Sequence, residues 1–91
     1  MIRSFRHKGL AQLFKDNNAS GVRPDLAKRC RRRLTVLNNA ESLDDLKIPG
    51  FNFHALQGKP KRYSIHVNGP WCITFEWVDN DARQVDIEQY H

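Results

Sequence analysis

Residues 68–77 read NGPWCITFEW, and the fold depends on how that stretch divides. Asn68-Gly69 between two alternating apolar runs predicts a tight β-hairpin, because a type I′ turn needs positive φ at both central residues and Asn and Gly tolerate it. After the turn, Trp71, Ile73, Phe75 and Trp77 fall on every second residue, the period of a strand with one buried face. Before it, Tyr63, Ile65 and Val67 alternate in the same way. The opposite face carries Cys72, Thr74 and Glu76, with Ser64 and His66 on the partner strand. One sheet face is therefore expected to hold the core, and the other to be open for chemistry.

Upstream of this hairpin, Phe51 to Gln57 reads as a further strand. Phe51, Phe53 and Ala55 lie on one face, Asn52 and His54 on the other. Gly58 to Lys61 is a basic turn. Downstream, Asp79-Asn80-Asp81 predicts a second turn, and Arg83 to Tyr90 a last strand with Val85 and Ile87 inward. The cover for the apolar face comes from the first half of the chain. Pro24 suits a first helical turn, and the charge of Asp25 suits a helix N-terminus. From there Leu26, Cys30, Leu34 and Leu37 recur at spacings of four, four and three and form one stripe. That helix is expected to end near Asn38-Asn39. A shorter helix is expected over His7 to Asp16, with Leu10, Leu13 and Phe14 on one side, closed by the loop formers Asn17 to Gly21. Met1 to Arg6 is a strand candidate with Ile2 and Phe5 inward. Ser42 and Asp45 match a capping pair around one turn, Leu43 to Leu46. The order is a strand, two helices and a four-stranded antiparallel meander. The expected fold class is α+β, with helices on one face of an antiparallel sheet.

Ninety-one residues predict one domain over residues 1–91, and 27% charged against 40% hydrophobic residues marks a globular chain. The net charge of +5 favours a polyanionic partner such as nucleic acid. No apolar run approaches a membrane span, and no signal peptide is read at the start. Cys30 and Cys72 fall in different predicted elements. They read as reduced thiols of a cytoplasmic protein and not as a disulfide framework.

Local motifs exclude several chemistries. His7, His54, His66 and His91 lack the spacings of a zinc site, so no metal is expected. There is no Gly-rich phosphate loop and no nucleophile motif. Faces offer more than motifs. His54 points to the face opposite Phe53, and Gln89-Tyr90-His91 ends a strand of the same sheet. Imidazoles, a tyrosine and the flanking Lys59, Lys61 and Arg62 could hold a phosphodiester and move protons around it; the plainer reading is a solvated polar face. The run Lys28, Arg29, Arg31, Arg32, Arg33 lies off the apolar stripe. It is either an ordinary solvated helix face or a grip for a nucleic-acid backbone.

MIRSFRHKGLAQLF at residues 1–14, IPGFNFHALQG at 48–58, YSIHVNGPWCITFEW at 63–77 and DIEQYH at 86–91 together resemble the HigB toxins, the plasmid maintenance system killer branch of the RelE/ParE superfamily. The resemblance spans nearly the whole chain in order. It implies a RelE-like fold and a toxin that enters the ribosome and cleaves the mRNA there. It also implies a helix-turn-helix antitoxin, HigA-like, that neutralises the toxin and represses the shared operon by binding operator DNA as a complex. No cofactor is implied.

Position by position, His54 and His91 fall on catalytic histidines of the family, and Tyr90 on the tyrosine before the second. Gln57 stands where many relatives have lysine, Gln89 where they have aspartate, and Cys72 where they have arginine. The expected mechanism is attack of a ribose 2′-hydroxyl on its own 3′ phosphate, with His54 and His91 as acid and base, and Tyr90 stacking on a base or bonding the phosphate. Lys28, Arg29, Arg31, Arg32, Arg33, Lys59, Lys61 and Arg62 would hold the RNA. The three departures predict an attenuated enzyme. Two alternatives fit them as well: a non-enzymatic inhibitor of DNA gyrase like the ParE branch, and a degenerate toxin acting only as a co-repressor with its antitoxin.

Overall fold

The computed structural model describes residues 1–89. Two helices, α1 (Lys8–Asp16) and α2 (Pro24–Asn39), precede a single 3₁₀ turn at Leu43–Leu46. Four strands follow: β1 (His54–Ala55), β2 (Tyr63–Asn68), β3 (Trp71–Val78) and β4 (Asp81–Gln89), in the spatial order β1-β2-β3-β4 with every pair antiparallel. The expected α+β arrangement is therefore observed.

α2 begins with Pro24 in its first turn and ends at Asn39, as its sequence predicts. Its stripe of Leu26, Cys30, Leu34 and Leu37 is fully buried against Ile65, Val67, Ile73, Phe75 and Val85 of the sheet. α1 adds Leu10 and Leu13 to that core. His7 stands just outside α1 and caps it: its Nδ1 accepts from the Leu10 amide at 3.1 Å. The Ser42–Asp45 capping box around the 3₁₀ turn is also present. At one end of the apolar face, Phe53, Tyr63, Phe75 and Trp77 form a row of ring contacts with centroids 5.7, 5.9 and 6.4 Å apart.

The hairpin turn lies one residue later than Asn68-Gly69 predicts. Asn68 pairs with Trp71, so Gly69 and Pro70 are central, and of these Gly69 alone has positive φ, 54°. Pro70 cannot take positive φ, so a Gly-Pro pair suits a turn that needs it only at the first central position. The side chains force this choice. A two-residue turn at Asn68-Gly69 would set Ile65 opposite Cys72 and turn one strand's apolar face against the other's polar face. The observed register sets Ile65 opposite Ile73 and Tyr63 opposite Phe75, with a bulge between His66 and Asn68 absorbing the difference. The double-positive-φ turn occurs instead at Asp79 and Asn80, with φ of 53° and 63°.

Three further expectations are corrected. The Phe51–Gln57 strand contracts to His54–Ala55, because Asn52 takes a φ of 45° and breaks the extended run. Met1–Arg6 lies parallel to β4 but pairs with it through isolated bridges, at Ile2–Ala82 and Phe5–Val85, and not as a continuous strand. Its ladder is interrupted by a bulge at Gln84, whose φ is 51°. Ser4 and Arg62 both bond to that bulge, through the Gln84 amide and carbonyl respectively. The polar sheet face is also not open throughout. Ser64 and Thr74 are fully buried, and Cys72 nearly so.

Candidate functional site

The polar face is read most simply row by row. Residues directly opposite across an antiparallel sheet share a face, so His54, Ser64, Thr74 and Asp86 form one row. His66, Cys72 and Glu88 form the next. At the hairpin end Gln89 pairs with Trp71 and so lies on the other, apolar face, in line with Ile87.

His54 sits exposed on the short edge strand β1, with its Nδ1 2.9 Å from the Asn52 carbonyl oxygen. Gln57, Lys59 and Lys61 are exposed in the turn that follows it. These four residues share one corner. Gln89 is exposed at the opposite corner, about 14 Å across and about 10 Å along the sheet from His54 by ordinary strand spacings. The described residues therefore do not bring Gln89 to His54. Tyr90 and His91, expected to act beside them, lie outside the described residues.

Arg62 departs most from expectation. It is not a free cation for RNA. Its Nη2 donates to Thr74 Oγ1 at 3.0 Å and to the Gln84 carbonyl at 2.8 Å, and its Nη1 lies 3.4 Å from Glu76 Oε2. Thr74 Oγ1 in turn donates to Glu88 Oε2 at 2.8 Å. The guanidinium thus ties β2, β3 and the β4 bulge together across the polar face. The observed register makes this possible by placing Arg62 across from Glu76. Cys72 lies buried between His66 and Glu88 and presents no cation to a substrate.

The basic run on α2 divides in two. Lys28, Arg31 and Arg32 are exposed, as a phosphate grip requires. Arg33 is half-buried: its Nε donates to the His66 carbonyl, and its guanidinium lies 4.8 Å from the centre of the Phe51 ring. Arg29 reaches the Val67 carbonyl at 3.4 Å. β1 ends its pairing with β2 at Ser64, and these two arginines occupy the edge carbonyls beyond it. Burial and the neighbouring Arg29 charge lower the Arg33 pKa from its ordinary value. Both arginines were legible as basic and off-stripe; that they lean back onto β2 was not.

No cluster of metal-ligating side chains occurs among the described residues, and no helix among them is long and apolar enough to cross a membrane. The two cysteines are free and buried.

Two helices over the apolar face of a short antiparallel meander, with a polar face edged by an exposed histidine and lysines, are consistent with the RelE-like toxin class. Comparison with known proteins narrows this. The family described as the RelE-like toxin of the type II toxin-antitoxin system HigB matches residues 3–91, and the chain belongs to that family. It is 37% identical over 92 residues to a protein of Proteus vulgaris named Endoribonuclease HigB, covering the whole of both chains. It is 34% identical over 93 residues to Toxin HigB-1 of Vibrio cholerae, covering 99% of this chain and 98% of the relative. A third relative, an uncharacterised protein of Haemophilus influenzae, is 27% identical over 73 residues, 78% of this chain and 72% of its own.

Proposed function

We propose that the chain is a ribosome-dependent endoribonuclease that cuts messenger RNA and so inhibits translation. The observation that carries this reading is end-to-end similarity to a protein named for endoribonuclease activity. The exposed His54 beside Lys59 and Lys61 supports it, since a phosphodiester needs both a proton-transfer group and nearby cations. In the proposed reaction a ribose 2′-oxygen bonds to its 3′ phosphorus as the bond to the 5′ oxygen breaks. His54 and His91 share the two proton transfers. Tyr90 and Gln57 complete the site, from which Gln89 stands apart at the far corner of the sheet, and Lys28, Arg31 and Arg32 hold the ribosomal or messenger backbone.

Membership in a toxin-antitoxin family implies an antitoxin partner. We assign that partner a helix-turn-helix fold and operator DNA as the target of the complex. The place of action is the cytoplasm, where translating ribosomes are.

The cleavage is slow. A phosphorane carries an extra negative charge, and losing one fixed cation aimed at it typically costs about 10²–10³ in rate. Arg62 does not fill that need, being engaged by Thr74, Glu76 and the Gln84 carbonyl. Single-turnover cleavage on programmed ribosomes tests the reading. Wild-type protein should cut only ribosome-bound message, Cys72→Arg should cut faster, and His54→Ala slower. Equal cutting of naked RNA, or no cutting together with inhibition of DNA gyrase supercoiling, would refute it.

A further inference from the structure

From the backbone around His54 we infer that Asn52 is a positioning residue which fixes the tautomer of the histidine and makes Nε2 its proton-transfer atom. The inference rests on the endoribonuclease reading for its catalytic meaning, but its structural half stands on two observations. The His54 Nδ1 lies 2.9 Å from the Asn52 carbonyl oxygen. A carbonyl oxygen only accepts, so Nδ1 carries the hydrogen and the neutral ring keeps its lone pair at Nε2. The second observation is that Asn52 has a φ of 45°, a left-handed conformation that asparagine tolerates better than most residues.

The surroundings hold that carbonyl in place. The Phe51 amide donates to the Ile48 carbonyl at 2.9 Å, and the Phe51 carbonyl accepts from the His66 amide at 2.6 Å. Phe51 is buried beneath the Arg33 guanidinium. The chain is thus anchored at Phe51, turns at Asn52, and enters β1 with His54 facing solvent. The left-handed turn that shortens the predicted strand is also what places a carbonyl two residues behind the imidazole.

This orientation makes Nε2 the nitrogen that exchanges the proton, and the neutral ring so held is competent to open the reaction as its base. The 2′-hydroxyl proton passes to Nε2 of His54 as the 2′-oxygen bonds to phosphorus. The bond from phosphorus to the 5′ oxygen breaks, and a separate acid gives that oxygen its proton. The products are a 2′,3′-cyclic phosphate and a free 5′-hydroxyl. Once the ring is protonated, its Nδ1–H bond to the carbonyl becomes charge-assisted and stronger. A ring locked this way needs no reorientation at the moment of attack. The acid's part is left to another group, with His91 the candidate.

The test uses ¹⁵N-detected imidazole spectra of the full chain at pH 8, with His54 assigned by its loss in His54→Gln. Free histidine favours hydrogen on Nε2, so a predominant Nδ1–H form at His54 is diagnostic. Wild type and Asn52→Gly, which keeps the left-handed turn, should both show that form and should cleave programmed ribosomes within about threefold of each other. Asn52→Val disfavours the turn. It should lose the Nδ1–H form and cleave about 10- to 100-fold more slowly, with ribosome affinity retained. Asn52→Ala serves in its place if the valine variant does not fold. An Nε2–H form at wild-type His54, or an unchanged tautomer and rate in Asn52→Val and Asn52→Ala, would overturn the inference. A wild-type protein with the Nδ1–H form and no cleavage anywhere would overturn the enzymatic reading and with it the catalytic role of Nε2.

Discussion

Removing the Arg62 guanidinium should unfold this protein more readily than removing any exposed lysine or arginine on its surface. Arg62 donates to Thr74 and to the Gln84 carbonyl and pairs with Glu76, with only 12% of its side chain exposed against 21% for Glu76. Breaking one member of a buried ion pair costs about 3–5 kcal/mol, mostly because the partner charge stays buried alone. The pair here is long, at 3.4 Å, and Glu76 keeps some contact with water, which weakens that contribution. The Thr74 and Gln84 bonds involve a charged donor, and the Thr74 hydroxyl that loses one is fully buried. We therefore expect Arg62→Ala to lose about 2–3 kcal/mol, a fall in Tm of about 10–20 °C for a domain of this size. Arg62→Lys should recover less than half, because one ammonium cannot match the three-way fork. Urea unfolding followed by the fluorescence of Trp71 and Trp77 measures this directly. A cycle with Glu76→Gln should give a coupling of about 1 kcal/mol. A loss under about 0.5 kcal/mol in Arg62→Ala, additive with Glu76→Gln, would show Arg62 to be a free surface cation and refute the reasoning.

Arg33→Ala should cost about 1–2 kcal/mol, because the His66 carbonyl loses its donor and the Phe51 ring its cation. Neutralising Lys28, Arg31 and Arg32 together should leave urea stability nearly unchanged and flatten the salt dependence of ribosome binding by about 2 in log–log slope, and an unchanged slope would return that helix face to bulk solvent. Gly9→Ala should destabilise by about 1–3 kcal/mol, because the added carbon would lie 2.3 Å from the Gly21 carbonyl oxygen, a backbone atom that moves only with its loop; an unchanged Tm would show that loop to be pliable. The Asp81 carboxyl is held below its ordinary pKa, first by its hydrogen bond from Arg3 and further by the N-terminal amine. A depressed carboxylate adds stability above the unfolded-state value and loses it as pH falls through the folded one, so urea midpoints should drop below about pH 4 and Asp81→Asn should flatten that drop.

The apolar stripes were readable because burial leaves a period in the sequence. Leu26, Cys30, Leu34 and Leu37 needed only the helical repeat, and Ile65, Ile73 and Phe75 only the alternation of a strand. Pro24, Asp25 and the Ser42–Asp45 pair marked ends by local chemistry, without reference to distant parts of the chain. The hairpin turn was half legible. Asn68-Gly69 suggested one register, but the alternation on either side already required another, and the longer-range pattern prevailed. The family was legible too, since its motifs run the length of the chain.

What the sequence did not disclose depends on contacts between residues far apart in it. The αL bulge at Gln84 leaves no dipeptide signal, because Ser4 and Arg62 stabilise it from elsewhere in the chain. Asn52 turns left-handed because Phe51 is pinned by Ile48 and His66, and that turn sets the short strand carrying His54. Charge alone could not separate Arg62 and Arg33, which bond inward, from Lys28, Arg31 and Arg32, which remain outside. A long side chain on a polar face can extend into water or fold back onto unpaired carbonyls and carboxylates. Periodicity assigns it to a face, and only the tertiary structure decides between the two, because the partners it folds back on are brought there by other strands.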